Sequence, residues 1–261
     1  MTEESLSSAI RNRINMKDGI VHVDAGGLHY KDLNTILRTL GNPVPIVHIE
    51  NVYGQRYIGT DLSNNMEIHI CGTPGNDVAA FLDGSTIIVH GNAQDGVGNT
   101  MNRGRVIVHG RAGDIVGHSM RGGEVYIRED VGYRCGIHMK EFEGKKPLIV
   151  VGGTGQDYLG EYMAGGTLIV LGLKMGSKPI HHARFLGTGM HGGVIYLRGE
   201  AVHTSKEVQI KPLDESDYKI LRRDVEAFCK EFEIQPEPIM ECEFTKLIPA
   251  SKRPYGNLYV Y

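Results

Sequence analysis

Short β-branched runs bounded by glycine recur through the middle of the chain, each following a large apolar residue at a nearly fixed interval. The apolar anchors are Leu62, Leu82, Met101, Met120, Met139, Met163 and Met190, separated by 20, 19, 19, 19, 24 and 27 residues. The runs behind them are Glu67–Ile70, Thr86–Val89, Arg105–Val108, Glu124–Ile127, Leu148–Val151, Leu168–Leu171 and Val194–Leu197. One short strand per period of about 20 residues predicts a stacked solenoid of about seven coils, mainly β, with parallel strands. At ~4.8 Å per coil the stack would be a rod on the order of 30 Å long. The two long separations hold extra loops, at Lys140–Pro147 and Leu173–Ala183.

The other recurring residues have physical tasks inside a coil. Gly98, Gly117, Gly136, Gly160 and Gly187 stand three residues before the anchor, with Ala79 as the departure. A residue there must let successive backbones pass closely at a corner or adopt positive φ. Met101, Met120, Met139, Met163 and Met190 are expected to fill the interior where coil stacks on coil. Asp77, Asp95, Asp114 and Asp157 recur five or six residues before the anchor, where a short carboxylate can accept turn N–H bonds that sheet pairing leaves open.

The pattern divides the chain into residues 1–52, 53–199 and 200–261. The first part predicts strands at Gly19–Val23 and Pro45–Ile49 around a helix Tyr30–Leu40, stopped by Gly41 and Pro43. This N-terminal cap would cover one end of the solenoid, which otherwise presents bare strand edges. The last part predicts an amphipathic helix, Leu213–Phe232, with Asp214 or Ser216 as N-cap. That helix is expected to plug the second end. The proline-containing arm after it, ending in Tyr255, Tyr259 and Tyr261, is expected to lie along this protein or a partner.

Composition narrows the function classes. Glycine is the outlier, 35 of 261 residues, without a Gly-X-Y period, so the glycines serve turns. A net charge of −3 supplies no basic field for nucleic acid or anionic lipid. The first ten residues are acidic and polar rather than signal-like, and no apolar run approaches the ~20 residues that span a bilayer, which predicts a soluble, cytoplasmic protein. Cys71, Cys135, Cys229 and Cys242 form no Cys-x-x-Cys pair and read as free thiols.

The segments Gly91–Val108 (GNAQDGVGNTMNRGRVIV) and Gly155–Gly172 (GQDYLGEYMAGGTLIVLG) resemble the Gly-x-x-Gly-x-x-Met-x-Gly-Gly repeats of one β-helix family. That family is the GXGXG C-terminal domain of the glutamate synthase large subunit, shared with the C subunit of formylmethanofuran dehydrogenase. Gly187–Tyr196 (GTGMHGGVIY) is similar to its closing coil, while Asn102-Arg103 and Lys140-Glu141 depart from the Gly-Gly pattern. The resemblance implies a single-stranded right-handed parallel β-helix over residues 53–199 that is a non-catalytic structural subunit. Catalysis, with FMN and an iron-sulfur cluster, would then reside on flavin synthase and glutamine amidotransferase subunits of a split complex for glutamate biosynthesis, with no cofactor on this chain. The alternative it leaves is a scaffold in formylmethanofuran dehydrogenase or an N-methylglutamate synthase-like assembly. A homo- or hetero-oligomer is expected in each case.

Against these stands an independent solenoid enzyme with a metal held between coils. His90 and His109 occupy matching positions ~5 Å apart in adjacent coils, although Arg128 follows at the next coil and would repel a cation. His181, His182 and Arg184, beside Lys174 and Lys178 in the larger insertion, are candidates for partner contact. Gly152–Gly155 and Gly187–Gly189 lack the Gly-Lys-Ser/Thr ending of a phosphate loop and read as coil corners.

Overall fold

The computed structural model describes residues 8–40 and 46–251, so Gly41, Pro43, Tyr255, Tyr259 and Tyr261 lie outside the described residues. In chain order the elements are α1 (Ser8–Arg11), β1 (Ile14–Lys17), β2 (Ile20–Asp24), α2 (Tyr30–Thr39), β3 (Ile46–Tyr53), β4 (Glu67–Thr73), β5 (Asp83–Val89), β6 (Arg103–Val108), β7 (Glu124–Ile127), β8 (Leu148–Val151) and β9 (Ala164–Val170). A 3-10 turn (Leu173–Met175) and β10 (Ile180–His181) follow, then β11 (Gly192–Arg198), β12 (Glu200–Ala201), β13 (Val208–Lys211), α3 (Glu215–Phe232), α4 (Glu237–Met240) and β14 (Phe244–Pro249). No helix among the described residues is long and apolar enough to cross a membrane.

The chain is a parallel β-solenoid of about eight turns, close to the expected seven. All seven expected strands form, each pairing in parallel with the next. Along a strand the second and fourth residues point inward, as Ile87 and Val89 or Val125 and Ile127 do, and are fully buried. Every anchor from Leu62 to Met190 is buried on the same axis. A column not singled out from the sequence, Val78, Val97, Val116, Cys135, Leu159 and Leu186, completes the interior at the turn. Away from the strands the coils still pair backbone to backbone, for example Gly117 N–H to Val97 O (2.7 Å) and Gly136 N–H to Val116 O (2.8 Å). Those corner glycines all have positive φ, between +67° and +77°, and Ala79 takes the same conformation at +62°.

Two expectations about the ends change. Strands β2 and β3 continue the parallel ladder, pairing β2–β3–β4, and the edge is closed instead by β1, antiparallel on β2. Helix α3 does not plug the second end. There β14 runs antiparallel on β11 and β13 on β14, with Val208 and Leu247 entering the solenoid core. An antiparallel strand satisfies the N–H and C=O groups of a terminal rung directly by ladder hydrogen bonds, whereas a helix could only cover them. α3 lies instead along the outer face of the sheet: Leu221, Val225, Phe228 and Phe232 pack on Ile107, Tyr126, Val150, Ile169 and Tyr196. The helix starts at Asp214, whose carboxylate accepts from Ser216 N–H and Asp217 N–H, and Asp217 returns the bond to Asp214 N–H.

The aspartate row bonds as turn chemistry requires, though between coils rather than within one. Asp95 accepts from Asp114 N–H (2.8 Å), Asp114 from Tyr133 N–H (2.8 Å) and Asp157 from Arg184 N–H (2.8 Å). Asp77 accepts from the Asn99 side chain (2.9 Å). Asn92 and Asp130 form a second such row, bonding Arg111 N–H and Thr154 N–H.

Candidate functional site

Helix α3 covers only the C-terminal half of the sheet's outer face, and the uncovered half carries a ladder of histidines. The rings of His22, His48, His69, His90 and His109 follow one another at centroid distances of 5.4, 4.7, 5.2 and 5.5 Å. The ladder ends where His109 meets the edge of Phe232 of α3 at 5.2 Å. Sequence reasoning found His90 and His109 and missed the other three. The signal was present in the near-identical runs Ile20-Val-His-Val23, Ile46-Val-His-Ile49 and Glu67-Ile-His-Ile70. It was obscured by register: His22, His48 and His69 are direct cross-strand neighbours, whereas His69 sits opposite Ile88 and reaches His90 diagonally. Such diagonal neighbours are within reach of ring side chains.

A hydrogen-bonded chain runs through the ladder. Glu67 Oε1 lies 2.8 Å from His69 Nε2, and His69 Nδ1 lies 2.9 Å from His90 Nε2. With both imidazoles neutral, His69 Nε2–H donates a hydrogen bond to the Glu67 carboxylate, and His69 Nδ1 accepts one from His90 Nε2–H. Burial holds His48, His90 and His109 below the usual histidine range, reinforced by His69 and His22 around His48, by His69 and His109 around His90, and by Arg128 beside His109. Among the described residues no group of three or more His, Cys, Asp or Glu is arranged to hold a metal ion. His90 and His109 are neighbouring rungs of the stacked row, with ring planes 23° apart.

The ladder has a pH consequence. A histidine whose folded pKa is lowered resists protonation that the unfolded chain accepts, so stability is intact above about pH 6.5 and declines as pH falls from there through the folded values. The melting temperature is expected to drop between pH 7 and pH 5, and a His48→Gln/His90→Gln double variant to show a flatter profile over that interval. Parallel profiles would show that the ladder is not the cause.

The insertion residues separate into inside and outside. His181 is buried, its Nε2 3.0 Å from Arg198 O, so it braces the insertion and is not available to a partner; burial lowers its pKa. Arg198, also buried, donates to Leu171 O, Gly172 O and Gly176 O and pins the same loop. His182 is exposed. Arg184 is exposed and chelates Asp157 at 2.9 and 3.1 Å. Lys174 pairs with Glu129 at 3.0 Å.

Arg184 belongs to a surface the sequence did not reveal. At the solenoid corner, residues five and one positions before the anchor have positive φ and turn their side chains outward, among them Arg134, His138, Tyr158, Tyr162 and Phe185. Their rings stack from coil to coil, Tyr158 on Phe185 at 4.8 Å and His138 on Tyr162 at 5.2 Å. The guanidinium of Arg134 lies 4.9 Å over the Tyr158 ring, and that of Arg184 lies 5.9 Å from the Phe185 ring. Phe185 (46% exposed), Tyr162 (37%) and the adjacent Tyr133 (45%) stay open to solvent although aromatic, the composition of a protein-binding hot spot. Burial pushes the Cys135 thiol up to about 12 and the Cys229 thiol up to about 11, which disfavours the thiolate at both.

A one-strand-per-coil parallel solenoid with glycine corners, a methionine axis and an exposed aromatic corner places the chain among the parallel β-solenoid proteins. The chain matches the GXGXG motif family over residues 31–250, and it belongs to that family. It is also 47% identical over 251 residues to the uncharacterized protein MJ1350 of Methanocaldococcus jannaschii, covering 92% of this chain and 96% of the relative.

Proposed function

We propose that this chain is the stand-alone structural subunit of a split glutamate synthase-type complex. Glutamine-dependent ammonia transfer to 2-oxoglutarate takes place on flavin synthase and glutamine amidotransferase partners that carry FMN and an iron-sulfur cluster. The observation that carries this reading is the family match, which starts within α2 and runs just past β14, so nearly the whole described chain is the β-helix module. The exposed, stacked aromatic and arginine corner supports it as a surface suited to a partner chain.

The test is reconstitution. The purified chain mixed with flavin synthase and amidotransferase subunits is expected to co-elute with them on gel filtration and to raise glutamine-dependent glutamate formation above that of the partners alone. A Tyr162→Ala/Phe185→Ala variant is expected to weaken the association about tenfold or more. Independent elution with no change in activity rules the proposal out.

A further inference from the structure

At the N-terminal end of the solenoid, α2 and the first coil border an open, shallow cleft of about 340 Å³ whose lining includes Tyr30, Lys31, Asn34, Arg38, Tyr57 and Thr60. The residues come from one helical face, at i, i+1, i+4 and i+8, set against the turn that carries Tyr57. Asn34 fixes the two walls. Its buried side chain donates to Tyr30 O (2.9 Å) and Arg56 O (3.3 Å) and accepts from Gly59 N–H (3.2 Å). At the cleft's edge the Arg56 guanidinium stacks on both tyrosines, 5.3 Å from the Tyr30 centroid and 5.9 Å from that of Tyr57.

The charge at this place is unbalanced. Arg13, Arg103, Arg105, Arg134, Arg184 and Arg223 each rest on a carboxylate within 3.3 Å. Around this cleft Lys31, Arg38 and Arg56 have no carboxylate partner among the described residues, and no acidic side chain lines it. Arg38 spends one N–H on Thr60 O (3.1 Å) and keeps the others. Three exposed cations beside a cleft that no acidic side chain lines make the local potential positive, in a chain whose net charge is −3. The contacts with the two tyrosine rings position the Arg56 guanidinium at the cleft, and a guanidinium can offer its N–H groups to an oxyanion in the bidentate geometry that phosphate accepts.

We propose that this cleft binds the phosphate group of a small phosphate monoester, with Lys31, Arg38 and Arg56 as the anion contacts and Tyr30 and Tyr57 as the apolar walls for the organic part. Its volume is at the lower end for small-molecule sites, which fits a phosphorylated group of sugar size rather than a large cofactor. The proposal is independent of the partner subunits.

The experiment is a titration of the full chain with glycerol 3-phosphate and with inorganic phosphate, followed by amide NMR shifts and calorimetry at low ionic strength. Glycerol and a hexaglutamate peptide serve as the neutral and the polyacidic comparison. Saturable shifts at Tyr30–Arg38 and Arg56–Thr60 are expected for both phosphates and not for glycerol. Arg56→Gln and, separately, Lys31→Gln are each expected to raise the dissociation constant about tenfold. Both positions are exposed, so the variants are expected to keep the wild-type circular dichroism. Arg111→Gln, an exposed arginine lining a different cleft, is expected to bind as wild type. Equal weakening by all three substitutions, shifts spread over the whole surface, absence of phosphate binding, or binding of hexaglutamate alone overturns the assignment.

Discussion

Gly104→Ala is expected to lower the melting temperature by about 6–16 °C, whereas Gly136→Ala, a change of the same type two coils along, should cost only a few degrees. Both glycines have positive φ, +103° and +77°, so each alanine incurs backbone strain of order 1–2 kcal/mol. The difference is what a new Cβ meets. At Gly136 the nearest atom is Leu168 Cδ2 at 3.4 Å, ordinary contact with a side chain that can adjust. At Gly104 it is the Ser85 carbonyl oxygen at 2.3 Å, with the Gly84 carbonyl carbon at 3.1 Å. That oxygen is main chain of the preceding rung, in the short irregular step between the Asp83–Arg103 and Thr86–Arg105 pairs that hold it on both sides, so relief requires the backbones of the two coils to move apart. Overpacking of this kind adds about 1–3 kcal/mol to the strain, and about 3–4 kcal/mol in total corresponds to the stated shift at roughly 2–4 °C per kcal/mol. Calorimetry on the two variants decides the matter: equal melting temperatures would show that close coil contact is not what position 104 requires glycine for.

The repeat that placed Gly104 was legible because its period is covalent. Leu or Met at the anchor, glycine at the corner and the β-branched run recur in the chain itself, so the approximate coil number and the anchor and strand parts of the interior needed no tertiary information. What the outer face meets could not be read in the same way. The helix was visible from its own amphipathic face, yet its seat is a set of single residues, Ile107, Tyr126, Val150, Ile169 and Tyr196, spread over five coils. A hint was available in Leu148–Val151, where four consecutive buried apolar residues indicate a strand covered on both faces. The ends were harder. β13 and β14 carry no repeat and pair antiparallel, so nothing in the periodicity announces them. Of the candidate site, the coil positions of His90 and His109 were visible, but the diagonal from His69 to His90 depends on how adjacent rungs register.

The joint between helix, last rung and closing strand is held by one carboxylate, and its removal defines the second large effect. Asp217 of α3 is buried and accepts from Tyr196 Oη on β11 (2.5 Å), from Lys246 Nζ on β14 (2.5 Å) and from the backbone N–H of Asp214 (2.8 Å). Burial by itself would raise its pKa. The bonds from Lys246, Tyr196 and Asp214 outweigh that and hold it below the usual carboxylate range. Asp217→Ala leaves the Lys246 ammonium, itself only 15% exposed, without its partner, a change that costs about 3–5 kcal/mol. A second substitution removing that orphaned charge, Asp217→Ala/Lys246→Met, is expected to recover part of the loss, because the penalty arises from the unpaired ion more than from the missing bond. The sign of the pH dependence follows from the lowered pKa: the carboxylate contributes fully above about pH 3.9, the unfolded value, and its contribution disappears as pH falls through the folded one. The gap in melting temperature between wild type and Asp217→Ala should therefore be wide at pH 7 and shrink progressively as pH falls below about 4, with hydrogen exchange in α3 accelerating first in the variant. A gap that stays constant from pH 7 to pH 3 would mean that Asp217 acts through its shape and not through its charge.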